Sequence, residues 1–473
     1  MIVMVAMLAL TIDLSYMMSV QSEMDRAVDA AALAGAGELV HGVDRANITA
    51  LDILLRNPVG SQVLLESQNR EALLQAWLAE HQDRFETESG NWDLTTQTFT
   101  PTDVLPSAIH ITASYEHPTL FFAKIFGLDG FGVSSEAIAR YQPRDIVLVL
   151  DFSASMSVDC QLRKISEDAN GESRRGEIVD NLLQSYINLG SPQYGNMQFD
   201  PVYINSNTND TVKQELGLRY WNGHRWMDVP YPYPSGSWDE YINYVKSSYG
   251  FPAKAGYHKK YGYLTLVNFW LEKKFYSWQT PDLWKTCAQP VTAVKDAVGV
   301  FMQYIQEVDC DDKVALVIYN SPSEDALIEN SLTTDFETVQ DIVQHRQAAH
   351  YDMWTNIGAG IRKGYEELDS HARTGAKKMI VLMTDGQATK PVNDTYARQF
   401  ALDQAALAAQ RKYPIVTISL GNDADQELMA QIAELTGGVH FNIPGGDSVN
   451  DYEDQLLTVF RQIADDRPLL LVK

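Results

Sequence analysis

One stretch constrains the fold of this 473-residue chain more than any other: Arg144-Asp145-Ile146-Val147-Leu148-Val149-Leu150-Asp151-Phe152-Ser153-Ala154-Ser155-Met156-Ser157. The run from Ile146 to Leu150 is continuously apolar, as a strand buried on both faces of a parallel sheet requires. It stops on an aspartate. In open α/β sheets, ligands sit in the crevice beyond the carboxyl ends of the strands. Asp151, Ser153 and Ser155 thus bring three hard oxygens to one tight loop at such a crevice. Oxygen donors of this kind suit Mg2+, Mn2+ or Ca2+ better than zinc.

Two later stretches share this grammar. Lys378-Met379-Ile380-Val381-Leu382-Met383-Thr384-Asp385-Gly386 is a second apolar strand ending on an acid, and Trp354-Thr355-Asn356-Ile357-Gly358-Ala359-Gly360-Ile361 carries a hydroxyl just before a helix opens. Any one of them could be a turn or a helix cap. Together and in this order they resemble a von Willebrand factor type A domain with a metal-ion-dependent adhesion site. The resemblance implies Ser153, Ser155 and Thr355 as hydroxyl ligands of a divalent cation, with Asp151 and Asp385 acting mostly through water. Mg2+ is the first expectation, Mn2+ or Ca2+ the alternatives. A metal held mainly by neutral oxygens keeps positive charge and an open position, so it can capture a carboxylate from a protein partner.

Residues 143–473 alternate strands and helices, which predicts an α/β fold with a doubly wound, mainly parallel, Rossmann-like sheet. Strands are expected at 313–319, 326–332, 378–384, 415–420 and 439–443, and helices at 291–307, 335–344, 357–368, 396–411, 424–435 and 449–463. Residues 468–472 read as an edge strand or as the end of the ordered domain. A large insertion, 157–289, far exceeds ordinary loop length and must emerge beside the metal loop. It is crowded with Tyr and Trp. Most of these rings are expected to form its core, while Tyr231, Tyr233 and Trp238, with Trp354, are candidates for touching a partner. Cys160 and Cys287 bracket the insertion, so a disulfide between them is expected in an oxidising compartment, leaving Cys310 free.

The first twelve residues carry no charge before Asp13. That is short of the roughly twenty residues needed to cross a bilayer. The run is either a buried helix or the outer part of an anchor whose start is missing. The following block, Asp29-Ala30-Ala31-Ala32-Leu33-Ala34-Gly35-Ala36, resembles the N-terminal segment of TadG-like proteins of the tight-adherence (Flp-type) pilus assembly machinery. The resemblance favours the anchor. It implies a membrane helix leading into an Ala-rich helix over 1–42, and a bacterial envelope protein held in the inner membrane with its bulk exported. Between them, 43–142 reads as a small α+β, pilin-like spacer. A helix is expected near 71–77, strands at 91–99, 108–115 and 133–140, and an apolar block at 120–126.

A net charge of −25 and a pI near 4.7 argue against nucleic acid and against binding an anionic membrane surface by charge. The chain has no Walker loop, Gly-x-Ser-x-Gly elbow, His-Glu-x-x-His or Cys-x-x-Cys. A phosphoryl-transfer enzyme would want a second carboxylate where Ser153 stands. The expectation is therefore a binding protein and not an enzyme, its partner a pilus or envelope component. A surface adhesin or matrix-binding protein unrelated to pili is the alternative, and a metal-dependent phosphoester hydrolase a third reading.

Overall fold

A computed structural model of the chain describes residues 2–60, 74, 84–93, 96–104, 106–127, 130–165, 174–308, 310–320, 325–445, 448–449 and 451–473. The chain forms two compact units. The first comprises 1–143, 304–311 and 464–473, the second 144–303 and 312–463.

In the first unit, helices α1 (Ile2–Glu38) and α2 (Val43–Arg56) pack together and accompany an antiparallel sheet of β1 (Phe85–Asp93), β2 (Thr98–Pro101), β3 (Ala108–Thr119) and β4 (Gly130–Tyr141). The alanine block is its contact face: Ala27, Ala31, Ala32 and Ala36 are buried with Ile109, Ile111, Ala137 and Ala139. Gly35 marks the closest approach, since a Cβ there would lie 3.0 Å from both Ala50 Cβ and Ile109 Cδ1. The single strand expected at 91–99 is instead a hairpin, with Trp92 opposite Phe99. Gln97, at φ +52°, turns the chain before β2. The helix expected at 71–77 lies outside the described residues apart from Leu74.

The apolar block at 120–126 contains a short 3-10 turn, Ala123–Phe126. The buried carboxylate of Asp13 caps it, accepting from the amides of Phe121, Phe122 and Ala123 at 2.7–3.3 Å. Before Asp13, Met4, Met7, Leu8 and Leu10 are exposed. No helix among the described residues is long and apolar enough to cross a membrane. Of residues 468–472, Leu469–Leu471 is an edge strand, and it pairs antiparallel with β4.

The second unit begins with β5 (Arg144–Leu150), every residue of which is buried. The insertion follows. It is more helical than its ring-rich composition suggests: α3 (Arg175–Asn188), α4 (Asn209–Glu215), α5 (Trp238–Lys246), α6 (Phe251–Lys254) and α7 (Tyr263–Lys273) are joined by two ribbons. These pair β6 (Val202–Tyr203) with β9 (Lys260–Tyr261) and β7 (Arg219–Trp221) with β8 (Trp226–Asp228). Trp270, Tyr241, Tyr261 and Tyr263 fill its core. The bridge expected between Cys160 and Cys287 is not formed; both are free thiols, and Cys287 lies 3.2 Å from the Ser185 hydroxyl.

The frame then resumes with α8 (Val291–Val308), β10 (Lys313–Ile318), β11 (Leu327–Thr333), α9 (Phe336–Gln344), α10 (Ile357–His371), β12 (Lys377–Thr384), α11 (Asp394–Gln410), β13 (Ile415–Leu420), α12 (Gln426–Thr436), β14 (His440–Ile443) and α13 (Tyr452–Asp465). The sheet runs β11-β10-β5-β12-β13-β14, parallel except for the β11 edge. From β5 the chain winds out through β10 and β11, then returns to β12 on the other side. The order therefore reverses at β5, the kind of point where open α/β sheets leave a ligand crevice.

Candidate metal centre

The residues at this reversal meet. Beyond the end of β5, Asp151 Oδ1 accepts from the Ser153 amide at 2.8 Å and Oδ2 from the Thr384 hydroxyl at 2.7 Å. The hydroxyls of Ser153 and Ser155 are 2.9 Å apart, and Ser155 Oγ donates to Asp385 Oδ1 at 2.6 Å. Two strand ends and one loop thus gather both acids and both serines, although Asp385 is 230 residues from Ser155. Gly386 keeps the turn after β12 open; a Cβ there would lie 3.4 Å from Ser155 Oγ.

Thr355 arrives on the third segment and lines the same cleft as Ser155 and Asp385. Its backbone is pinned on both sides. Its amide donates to Thr389 Oγ1 at 3.1 Å, and its carbonyl accepts from the amides of Thr389 and Lys390 at 2.9 and 3.2 Å. Asn356 caps α10 through the Ala359 amide. The glycines of this helix set how near it comes to its neighbours: a Cβ on Gly360 would lie 2.7 Å from Val149 Cγ1 of β5, and one on Gly358 2.3 Å from Phe400 of α11. Small residues in the first turns of α10 therefore bring Thr355 towards the end of β5.

Both acids are buried, Asp151 at 0% and Asp385 at 6% exposure. Burial pushes the Asp151 carboxyl up, against the hydrogen bonds from Ser153 and Thr384. Asp385 is pushed well above the usual carboxylate range by burial and then by the charge of Asp151. Among the described residues, neither is ion-paired with a Lys, Arg or His. Nor do three or more His, Cys, Asp or Glu side chains gather as a metal cage anywhere in them. Two carboxylates and three hydroxyls are nevertheless a donor set that fits a hard divalent cation. His350, five residues before Thr355, is pushed down to about 4 by burial and then by the Arg346 charge.

Asp385, with Ser155 and Thr355, lines a cleft of about 750 Å³, while Asp151 and Ser153 are buried and do not line it. The insertion supplies one wall, with Arg163, Lys164, Arg174, Lys273 and Phe275; Trp354 lines it too, with Lys390 Nζ 4.4 Å from its ring centroid. Tyr231, Tyr233 and Trp238 do not line it. They are packed within the insertion, where Tyr231 accepts from Trp270 Nε1 at 2.9 Å, Tyr233 meets the Trp270 ring edge-on, and Trp238 Nε1 donates to the Val229 carbonyl. Ring count did not single out the wall residues. The available signal was the basic pairs Arg163-Lys164 and Arg174-Arg175, close behind the metal loop in a strongly acidic chain.

The second unit is an α/β domain whose mainly parallel sheet ends at a cleft. Residues 285–455 match the von Willebrand factor type A domain, 27–139 the putative Tad-like Flp pilus-assembly family, and 1–38 the putative Flp pilus-assembly TadE/G-like family. The chain thus matches a TadG-like protein with a von Willebrand factor type A domain. The first of these matches includes Thr355 and Asp385 but begins only at the last residues of the insertion, so Asp151, Ser153 and Ser155 lie outside it. No curated protein matches the chain.

Solved structures with similarity include an aerotolerance-related membrane protein from Bacteroides fragilis, at 14% identity over 38% of this chain and 90% of that one, with a TM-score of 0.30. A von Willebrand factor type A structure from Catenulispora acidiphila is 17% identical over 37% of each chain, with a TM-score of 0.28. The pilus adhesin SpaC from Lactobacillus rhamnosus is 17% identical over 37% of this chain and 28% of that one, with a TM-score of 0.30. The match thus spans well under half of the latter two. At such scores none bears on function. The family matches suggest a non-enzymatic role in pilus assembly or adhesion, through contacts with pilus or envelope components, and association with the cell envelope.

Proposed function

We propose that the second unit captures an acidic side chain of a pilus or envelope protein through a divalent cation, Mg2+ ahead of Mn2+ or Ca2+. Ser153, Ser155 and Thr355 would hold the ion directly, and Asp151 and Asp385 would hold it mostly through water. When bound, the cation supplies an electrophilic position that accepts a carboxylate. One observation carries the reading: two buried carboxylates lie within electrostatic reach of each other, Asp385 lining the cleft, and among the described residues neither is ion-paired with a Lys, Arg or His. Such a pair is costly unless a positive charge arrives. A binding role is also favoured over nucleophilic catalysis because both oxygens of Asp151 are engaged, by the Ser153 amide and the Thr384 hydroxyl. The exposed apolar turns of α1 before Asp13 support attachment to the inner membrane by that end.

Calorimetric titration of Mg2+ into the full chain tests the proposal. Wild type should take up about one equivalent and Asp385→Asn none. Equal uptake by both would remove Asp385 from the site, and no uptake by wild type would end the metal reading.

A further inference from the structure

Among the described residues, the wall that the insertion adds to the cleft carries four cationic side chains, and they are not equivalent. Lys164 is held between Asp159 at 3.5 Å and Asp423 at 3.1 Å. Lys273 pairs with Glu272 at 2.9 Å, and Arg163 lies 3.9 Å from the same carboxylate. Arg174 differs. Its side chain lines the cleft from the residue before α3, its Nε is, like that of Arg163, buried without a hydrogen-bond partner, and unlike the other three it has no ion pair among the described residues. Tyr452 lies within electrostatic reach of both Arg174 and the metal centre: burial and the charges of Asp159 and Asp385 push its phenol up, and Arg174 opposes them. The Tyr452 hydroxyl donates to Asp159, which also lines the cleft.

A buried guanidinium nitrogen without an acceptor is costly, and Arg is the cation best shaped to hold a carboxylate with two parallel hydrogen bonds. The other three cations already have carboxylates. We propose that Arg174 is a second anchor in the cleft, taking an additional acidic group on the partner segment whose first acidic group reaches the cation. This rests on the metal reading and narrows it: the segment recognised is a protein stretch with two acidic side chains, not a lone carboxylate. Arg174 lies within the insertion, so selectivity resides in the part of the chain added to the α/β frame.

The test uses the full chain in Mg2+ and two fluorescein-labelled capped hexapeptides, one carrying an aspartate and a glutamate, the other with glutamine in place of the glutamate. Wild type should prefer the doubly acidic peptide about tenfold by fluorescence anisotropy, the scale of one charge-assisted hydrogen-bonded contact. Arg174→Gln should lose that preference while its calorimetric Mg2+ uptake stays at the wild-type value. Equal binding of the two peptides by wild type, binding of neither, or a preference kept by Arg174→Gln overturns the second anchor. Loss of Mg2+ uptake in Arg174→Gln also overturns it, because the residue would then be supporting the site. If wild type takes up no Mg2+, the metal reading fails first and this inference falls with it.

Discussion

The two ends of β5 are equally buried and treat charge in opposite ways. At its start, the Arg144 guanidinium holds Asp312 at 2.7 and 3.1 Å and the Ile463 carbonyl at 2.8 Å. Next to it, Asp145 takes the Arg373 guanidinium at 2.6 and 2.9 Å and the Arg373 amide at 2.6 Å. Just past its other end, Asp151 has an amide and a hydroxyl, and Asp385 a serine hydroxyl; these are neutral donors. The first end is closed by the protein's own cations and serves the fold. Among the described residues the second has the anions without an ion-paired cation, and Asp385 opens on a cleft, which is how a site that takes its counter-charge from solution should look.

The largest effect should come from breaking the closed end. Arg144→Met takes the guanidinium away from buried Asp312, which keeps the residue 144 amide, and removing one member of a buried ion pair costs about 3–5 kcal/mol. Urea unfolding should show that loss equally in Mg2+ and in EDTA. If Mg2+ changed its size, the two ends would not be independent and the contrast between them would fail.

A smaller effect, of opposite dependence, is expected at the open end. Mg2+ at about a hundredfold over its Kd should stabilise wild type by about 2.7 kcal/mol. In EDTA the sign of the pH dependence follows from the raised carboxyls of Asp151 and Asp385. Above the ordinary carboxylate value the folded state holds more protons than the unfolded one. The stability this contributes is complete at low pH and is lost as pH rises through the raised values. Mg2+ needs the ionised acids, so the stabilisation it brings should grow over the same range. Thermal unfolding at pH 5 and pH 8, with Mg2+ and with EDTA, checks both slopes. A metal-free protein that gained stability between those values at this site would contradict the charge assignment.

The same contrast explains which features could be read before the structure. β5 and β12 are continuous apolar runs ending on acids, so burial on both faces and the strand-end site were written locally. The helices of the frame followed from apolar periodicity. The partners of Arg144 and Asp145 were not visible, because Asp312 and Arg373 lie 168 and 228 residues away and nothing local marks them. The interior of the insertion was hidden for a related reason. Aromatic residues build cores as readily as they build binding surfaces, and here Tyr231, Tyr233 and Trp238 pack within the insertion while polar Arg174 reaches the cleft. In the first unit, the alanine face of α1 was apparent as a helix, but its packing on a sheet that includes the last strand of the chain was not.

The smallest effect is expected at Thr355, which tests whether the open end depends on its charges or on its full ligand set. Thr355→Val preserves side-chain shape and leaves untouched the backbone bonds to Thr389 and Lys390 that hold the loop. It removes one neutral oxygen that a water can replace, while both acids stay in place. Mg2+ affinity should fall about tenfold, on the scale of one hydrogen-bond-sized interaction, with stoichiometry near one and stability in EDTA unchanged. Calorimetry on this variant beside Asp385→Asn separates the contributions. Weakened uptake in the first and none in the second would mean that the missing counter-charge drives binding and the hydroxyls tune it. If Thr355→Val abolished uptake as completely as Asp385→Asn, geometry rather than charge would control the site, and the contrast between the two ends of β5 would lose its electrostatic basis.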